Sequence, residues 1–170
     1  STYNVINHNT IENGGGQGIS LSLSSSHNSI VNNSVRNNAN EGISLDGAKC
    51  TDNTISGNNV SGNQVGIRFK SAGSNKIKSN IIQDSIREGV LFQMSSENTI
   101  NANNIINNKR QASLVVSFRN TWDANYWSNW IGIKNSKPGF QKLPKVVHGL
   151  VLFAFDMHPA KTPYNITGFP

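Results

Sequence analysis

Nine carboxylates are the groups in this chain best suited to acid–base chemistry: Glu12, Glu41, Asp46, Asp52, Asp84, Glu88, Glu97, Asp123 and Asp156. Hydrolysis of a glycosidic bond needs two carboxyl groups about 5–9.5 Å apart. Glu41 and Glu88 share a local setting, each preceding a glycine and an alternating apolar stretch, Gly42-Ile43-Ser44-Leu45 and Gly89-Val90-Leu91-Phe92. Neither has a histidine or an aspartate cluster beside it. His8, His27, His148 and His158 are scattered without metal-ligand spacing, and Cys50 is the single cysteine. With two methionines, these donors make no copper site. The expectation is a chain with no catalytic residue, no metal and no cofactor.

Binding chemistry is better represented. The chain carries 15 basic and 9 acidic residues, a net charge of +6. Arg68, Lys70, Lys76 and Lys78, followed by Arg87, Lys109, Arg110 and Arg119, fall in the second half of the patterned region. Such a basic face suits an acidic polysaccharide, anionic headgroups or an acidic neighbouring subunit; its alternative role is to keep an amide-rich surface soluble. Tyr126 and Trp130 flank Trp127 and either stack on a sugar or pack under the C-terminal segment. Aromatics are not interleaved with the basic residues, so nucleic acid is not an expected partner. Three glycosylation sequons begin at Asn32, Asn59 and Asn165.

The elements that place these groups come from a repeat. The motif Asn-x-Ile-x-x-Asn starts at Asn4, Asn28, Asn53, Asn75 and Asn98, and again at Asn120 with Trp122 in place of the isoleucine. The starting asparagines are 24, 25, 22, 23 and 22 residues apart. Two residues past each second Asn comes Ile11, Val35, Val60, Ile82, Ile105 and then Trp127. A glycine and an alternating apolar stretch follow, except that the fifth copy lacks the glycine; its Leu114 is expected in a column with Ile19, Ile43, Ile67 and Val90, and its Val116 with Leu21, Leu45, Phe69 and Phe92. Each repeat thus holds three short segments and cannot bury its own apolar side. Stacking the repeats solves this, which predicts an all-β parallel β-helix of about six coils over residues 1–130.

Asparagine is 27 of 170 residues, too many for a helical protein. On a β-helix they find a use. An inward Asn at a corner can donate to the equivalent Asn one coil away, making a ladder. Asn9, Asn33, Asn58, Asn80, Asn103 and Asn125 are the expected ladder; the competing reading puts them outside, in left-handed turn positions. Trp122 and Trp127 are expected to cover the last core layer. Residues 131–170 lack the repeat and read as a capping or docking segment, with one or two strands between Val146 and Phe155. The longest apolar run, Gly149–Phe155, is too short to span a bilayer. The chain opens at Ser1 already inside the pattern, as a mature product or a piece of something longer.

The coils resemble the NosD-like parallel β-helix proteins, whose repeats belong to the carbohydrate-binding and sugar-hydrolase group. Asn125-Tyr126-Trp127-Ser128-Asn129-Trp130 and Thr162-Pro163-Tyr164-Asn165-Ile166 resemble signatures that end many archaeal and bacterial surface proteins. Relatives often carry a calcium-loop-like stretch between those signatures; residues 131–161 are basic and apolar here. The resemblance implies a right-handed coil and an extracellular or cell-surface location. The expected function is a structural or adhesive solenoid, a homo-oligomer or filament built by head-to-tail stacking. A carbohydrate-binding module of a larger surface protein is the alternative, and a polysaccharide hydrolase or lyase a third.

Overall fold

A computed structural model describes residues 1–130, 145–147, 149 and 153–170. Among these residues every regular element is a strand, and the chain winds as a parallel β-helix. Five coils carry three strands each and a sixth carries two. The first sheet stacks Val5–Asn7, Ser29–Val31, Thr54–Ser56, Lys76–Lys78, Thr99–Asn101 and Thr121–Asp123. The second stacks Thr10–Glu12, Ser34–Arg36, Asn59–Ser61, Ile81–Gln83, Asn104–Ile106 and Tyr126–Trp127. Ile19–Ser22, Glu41–Asp46, Val65–Lys70, Glu88–Gln93 and Arg110–Val115 form the third. A three-residue strand turns one side chain inward, so each repeat supplies one inward residue to each of the first two sheets.

Those inward residues align in columns. Ile6, Ile30, Ile55, Ile77 and Ile100 are in register and run on to Trp122. Ile11, Val35, Val60, Ile82 and Ile105 run on to Trp127. The third sheet departs from the expected register in its last strand. Ala112, not Leu114, continues the column of Ile19, Ile43, Ile67 and Val90. Leu114 instead follows Leu21, Leu45, Phe69 and Phe92, and Val116 lies outside at a corner with φ 48°. Gln111 stands where the other coils have glycine. A Cβ on Gly66 would lie 2.5 Å from the Gly89 carbonyl oxygen and 2.8 Å from Ile82 Cγ2. Among the described residues no strand stacks on Arg110–Val115 in its sheet; Leu114 meets Gly149 in an isolated bridge, and room is left at Gln111 for a side chain.

The corners hold two complete asparagine ladders. In one, the side-chain amides of Asn9, Asn33, Asn58, Asn80 and Asn103 each donate to the next member's Oδ1 at 2.9–3.0 Å, ending at Asn125. The backbone N–H of each donates to the same oxygen at 2.9–3.1 Å. Asn4, Asn28, Asn53, Asn75, Asn98 and Asn120 repeat the scheme at the corner before the first sheet. Left-handed asparagines are present too, but they are other residues: Asn13, Asn32, Asn37 and Asn107. Asn32 and Asn37 each precede an inward ladder Asn, turning the backbone so that the next amide faces in. A third column runs from Asn38 to Asn63, is interrupted where Ser85 occupies the next place, and resumes at Asn108, whose Oδ1 accepts from the Ser85 backbone N–H.

The C-terminal end closes on itself. Phe69 stacks on Phe92 at 4.8 Å, Phe92 meets Trp122 edge-on at 5.8 Å, and Trp122 lies 5.5 Å from Trp127. Ala154–Asp156 adds to the first sheet beside Thr121–Asp123, and Lys145–Val147 pairs antiparallel outside it. The expected strands between Val146 and Phe155 fall partly at 148 and 150–152, outside the described residues. Asp156, fully buried, takes the place of a seventh ladder member. Its Oδ2 accepts from Asn125 N, Asn125 Nδ2 and Trp127 Nε1 at 2.9, 3.0 and 2.9 Å.

Residues 160–170 then run back across the outer side of the second sheet. Ala160 bridges to Tyr126, the Tyr164 backbone exchanges two 2.8 Å bonds with the Asn104 side chain, and Gly168 lies against Asn32.

Two stability outcomes follow from the ladders. Asn58→Leu removes the acceptor of the Asn33 backbone and side-chain N–H groups and one of the two donors to Asn80 Oδ1, and is expected to cost about 3 kcal/mol in urea unfolding. Ser85→Asn supplies the missing link to Asn63 and is expected to raise stability by about 1 kcal/mol. An unchanged midpoint in either variant contradicts the ladder as a source of stability.

Candidate binding faces

With the interior filled, chemistry is left to outward side chains and corners. The four clustered cations do not share a face. Arg68 and Lys70 point out from the third sheet, Lys76 and Lys78 from the first, and the turn 71–75 separates the pairs. On the third sheet the cations are engaged. Arg68 Nε lies 3.1 Å from Glu41 Oε1, and Arg68 Nη2 and Lys70 Nζ lie 3.7 and 3.6 Å from Asp46 Oδ2. Beneath them Ser44 is fully buried, its hydroxyl without a partner.

Glu41 and Glu88 lie in one column with Val65 between them. Glu88 is 3% exposed; its Oε1 lies 2.8 Å from Arg110 and its Oε2 3.7 Å from Arg87. Each carboxylate is thus held by its own guanidinium, and neither is presented with the other to a common open space.

Lys76 and Lys78 are both exposed and make no ion pair among the described residues. They are flanked in register by Thr54 and Ser56 on one coil and by Thr99 and Asn101 on the other. The result is a flat patch of hydroxyls and amides with two free ammonium groups.

Tyr126 and Trp130 are half-buried. Trp130 packs on the core cluster, and Tyr126 bridges to Ala160 in the returning segment. That segment is fastened by the Tyr164 hydroxyl, which donates to the Ala124 carbonyl at 2.6 Å. The sequon at Asn165 lies on it with an exposed side chain, whereas Asn59 keeps its Oδ1 buried and Asn32 is half-buried at φ 51°.

The metal-ligating residue types are dispersed. Among the described residues no three of His, Cys, Asp and Glu come together as a metal site. Cys50 is buried with its sulfur 3.3 Å from the Leu23 carbonyl oxygen. His27 stacks on Tyr3 at 5.0 Å, and His158 Nδ1 meets Asp123 Oδ1 at 2.8 Å. His148 lies outside the described residues. No helix among the described residues is long and apolar enough to cross a membrane.

Sequence reasoning missed Asp156 and the returning segment. A column argument sees only what repeats, and Asp156 reaches Asn125 over 31 residues from outside the repeat.

Burial raises the Tyr164 hydroxyl above its ordinary value of 10.0, and the negative charges of Asp156 and Asp123 add to the shift. The folded chain therefore holds this proton more tightly than the unfolded chain. The contribution is whole below about pH 10 and is lost as pH rises through the raised value. Chemical unfolding followed above pH 9 is expected to show stability falling with pH, with a shallower slope in Tyr164→Phe. Of the three sequons, expression in a glycosylating host is expected to modify Asn165 and leave Asn59 bare, read by peptide mass spectrometry.

Solved structures of one enzyme are similar to this chain. The periplasmic alginate epimerase AlgG superposes with a TM-score of 0.59 at 20% identity, covering 91% of this chain and 31% of that one. A point mutant of that enzyme matches 66% of this chain at 23% identity, again with a TM-score of 0.59. At such identity the likeness is one of fold, and the chain spans less than a third of the enzyme's length. No curated protein matches. A family model described as "Periplasmic copper-binding protein (NosD)" matches residues 1–132, and on that match the chain belongs to the NosD family.

Proposed function

We propose that this chain is an extracytoplasmic solenoid of the cell envelope that binds an extended acidic glycan on its outer face. The observation that carries this is the first-sheet patch, where Lys76 and Lys78 make no ion pair among the described residues and are framed by Thr54, Ser56, Thr99 and Asn101. Ammonium groups suit uronate carboxylates, and neighbouring hydroxyls and amides suit sugar hydroxyls. Coils spaced about 4.8 Å apart set hydroxyl and amide groups on either side of the one strand that carries the two ammonium groups. The family description and the neighbouring epimerase, both named as periplasmic, support the location.

Binding fits the geometry better than chemistry does, because Glu41 and Glu88 are each occupied by a guanidinium. Copper, named in the family description, finds no converging donor set among the described residues.

Affinity electrophoresis in polygalacturonate is expected to retard the protein, and Lys76→Ser with Lys78→Ser to abolish most of the retardation. Equal retardation by a neutral glucan, or by the double variant, would sink the proposal.

A second reading, a filament of stacked copies, is favoured by the first coil. Its strands Val5–Asn7, Thr10–Glu12 and Ile19–Ser22 each pair on one side only among the described residues. At the other end Asp156 already consumes the Asn125 donors, so stacked copies would have to meet without continuing that ladder. Negative-stain microscopy separates the readings: regular fibres support assembly, and short separate rods support the binding module.

A further inference from the structure

A second site lies away from that patch, where the last coil meets the added strand Lys145–Val147. A cleft of about 180 Å³ opens there, lined by Lys109, Arg110, Gln111, Trp127, Asn129 and Lys145 among others. Three cations from two separate elements face one small space. Arg110 is partly neutralised by Glu88 at 2.8 Å, and its guanidinium has further N–H groups to give. Lys109 makes no ion pair among the described residues. Lys145 Nζ stands 5.9 Å from the centre of the Trp127 ring, where burial lowers its pKa. The added strand thus holds an ammonium group partly out of water, facing the last coil, beside its cross-strand partner Asp156, whose carboxylate is taken up by Asn125 and Trp127; Lys145 makes no ion pair among the described residues. Asn129 adds an exposed amide donor, while Gln111 Nε2 is held by Ser128 Oγ at 2.8 Å.

We infer that this cleft binds a single oxyanion group, a sugar carboxylate or a phosphate, between Lys109, Arg110 and Lys145. The space is below the 300–1,000 Å³ usual for a whole small-molecule ligand, which fits one anionic group with part of the ring that bears it. Planar oxyanions suit the guanidinium of Arg110, and the two ammonium groups add charge-assisted bonds from either wall. The site is independent of glycan binding on the first sheet, because it lies at the rod's end and needs only one anionic group.

The test is isothermal titration of the full chain with sodium glucuronate, inorganic phosphate and neutral glucose, at constant ionic strength set with chloride. Glucuronate or phosphate is expected to bind and glucose not to; which anion binds more tightly distinguishes the sugar carboxylate from the phosphate. Lys109→Ser, an exposed change that keeps the fold, and Lys145→Gln are each expected to weaken binding roughly tenfold. Made in the Lys76→Ser, Lys78→Ser background, the same titration removes the first-sheet patch, so the binding that remains reports this cleft, and failures of the two sites give different patterns. The inference is overturned if neither anion binds more tightly than about 10 mM, if glucose binds equally, or if Lys109→Ser binds as the parent does.

Discussion

The structure depends on one constraint: a polar group turned into a corner of the coil must find its partner in the next coil, because no water reaches it. A buried amide left unpaired costs about 1–3 kcal/mol. Asparagine meets the constraint because its side chain carries both a donor and an acceptor on one short stem. Asn58, with no exposed surface, accepts from Asn33 and donates to Asn80, and its second N–H reaches the Ile30 carbonyl. The bond runs the same way at every step, with the earlier coil donating and the later coil accepting. A ladder built this way has a direction, and its later end needs an acceptor. Asp156 is that acceptor, and a carboxylate suits the place better than another amide because it asks for no acceptor in return.

Once interior columns and axial hydrogen bonds are committed to stacking, the outward positions are left free to vary. Their ion pairs show a regularity of their own. Glu12 pairs with Arg36, Asp46 with Lys70, Glu88 with Arg110 and Glu97 with Arg119, in each case the acid one coil before the base. Exposed pairs of this kind contribute little to stability. They matter more for what they remove from the surface. The third sheet pairs its charges among themselves, whereas Lys76 and Lys78 on the first sheet and Lys109 on the fifth coil make no ion pair among the described residues.

The architecture was legible in the sequence to the extent that it repeats. Asn-x-Ile-x-x-Asn marks a ladder residue, an inward isoleucine and a second ladder residue, so the spacing of the motif gives coil length, core columns and corners together. The reading slipped where a marker was missing. Without a glycine in the fifth copy, Leu114 and Val116 were placed two residues late, and Gln111 went unrecognised as the glycine's replacement. The cations misled for a similar reason: Lys70 and Lys76 are close in sequence but lie either side of a corner. Asp156 and the returning segment were not legible, since each touches the solenoid once and leaves no column.

That returning segment changes how the solenoid holds together. In a stack of repeats each coil touches only its neighbours, so stability is close to a sum of nearest-neighbour terms and the ends can fray separately. Residues 160–168 break this pattern by bonding to the sixth coil at Tyr126 and the fifth at Asn104 and by passing beside Asn32 of the second. The distances agree with an extended strap. Three coils at about 4.8 Å need roughly 14 Å, and the four residues from Tyr164 to Gly168 span roughly 14 Å at about 3.4 Å each. Pro163 suits this course, because it fixes its own φ and keeps Thr162 out of the helical region. With Ile166 and Phe169 half-buried along the strap, unzipping the second coil from the fifth requires the tail to be peeled off first. The Thr-Pro-Tyr signature therefore acts as a clasp, coupling coils that the repeat alone would leave independent.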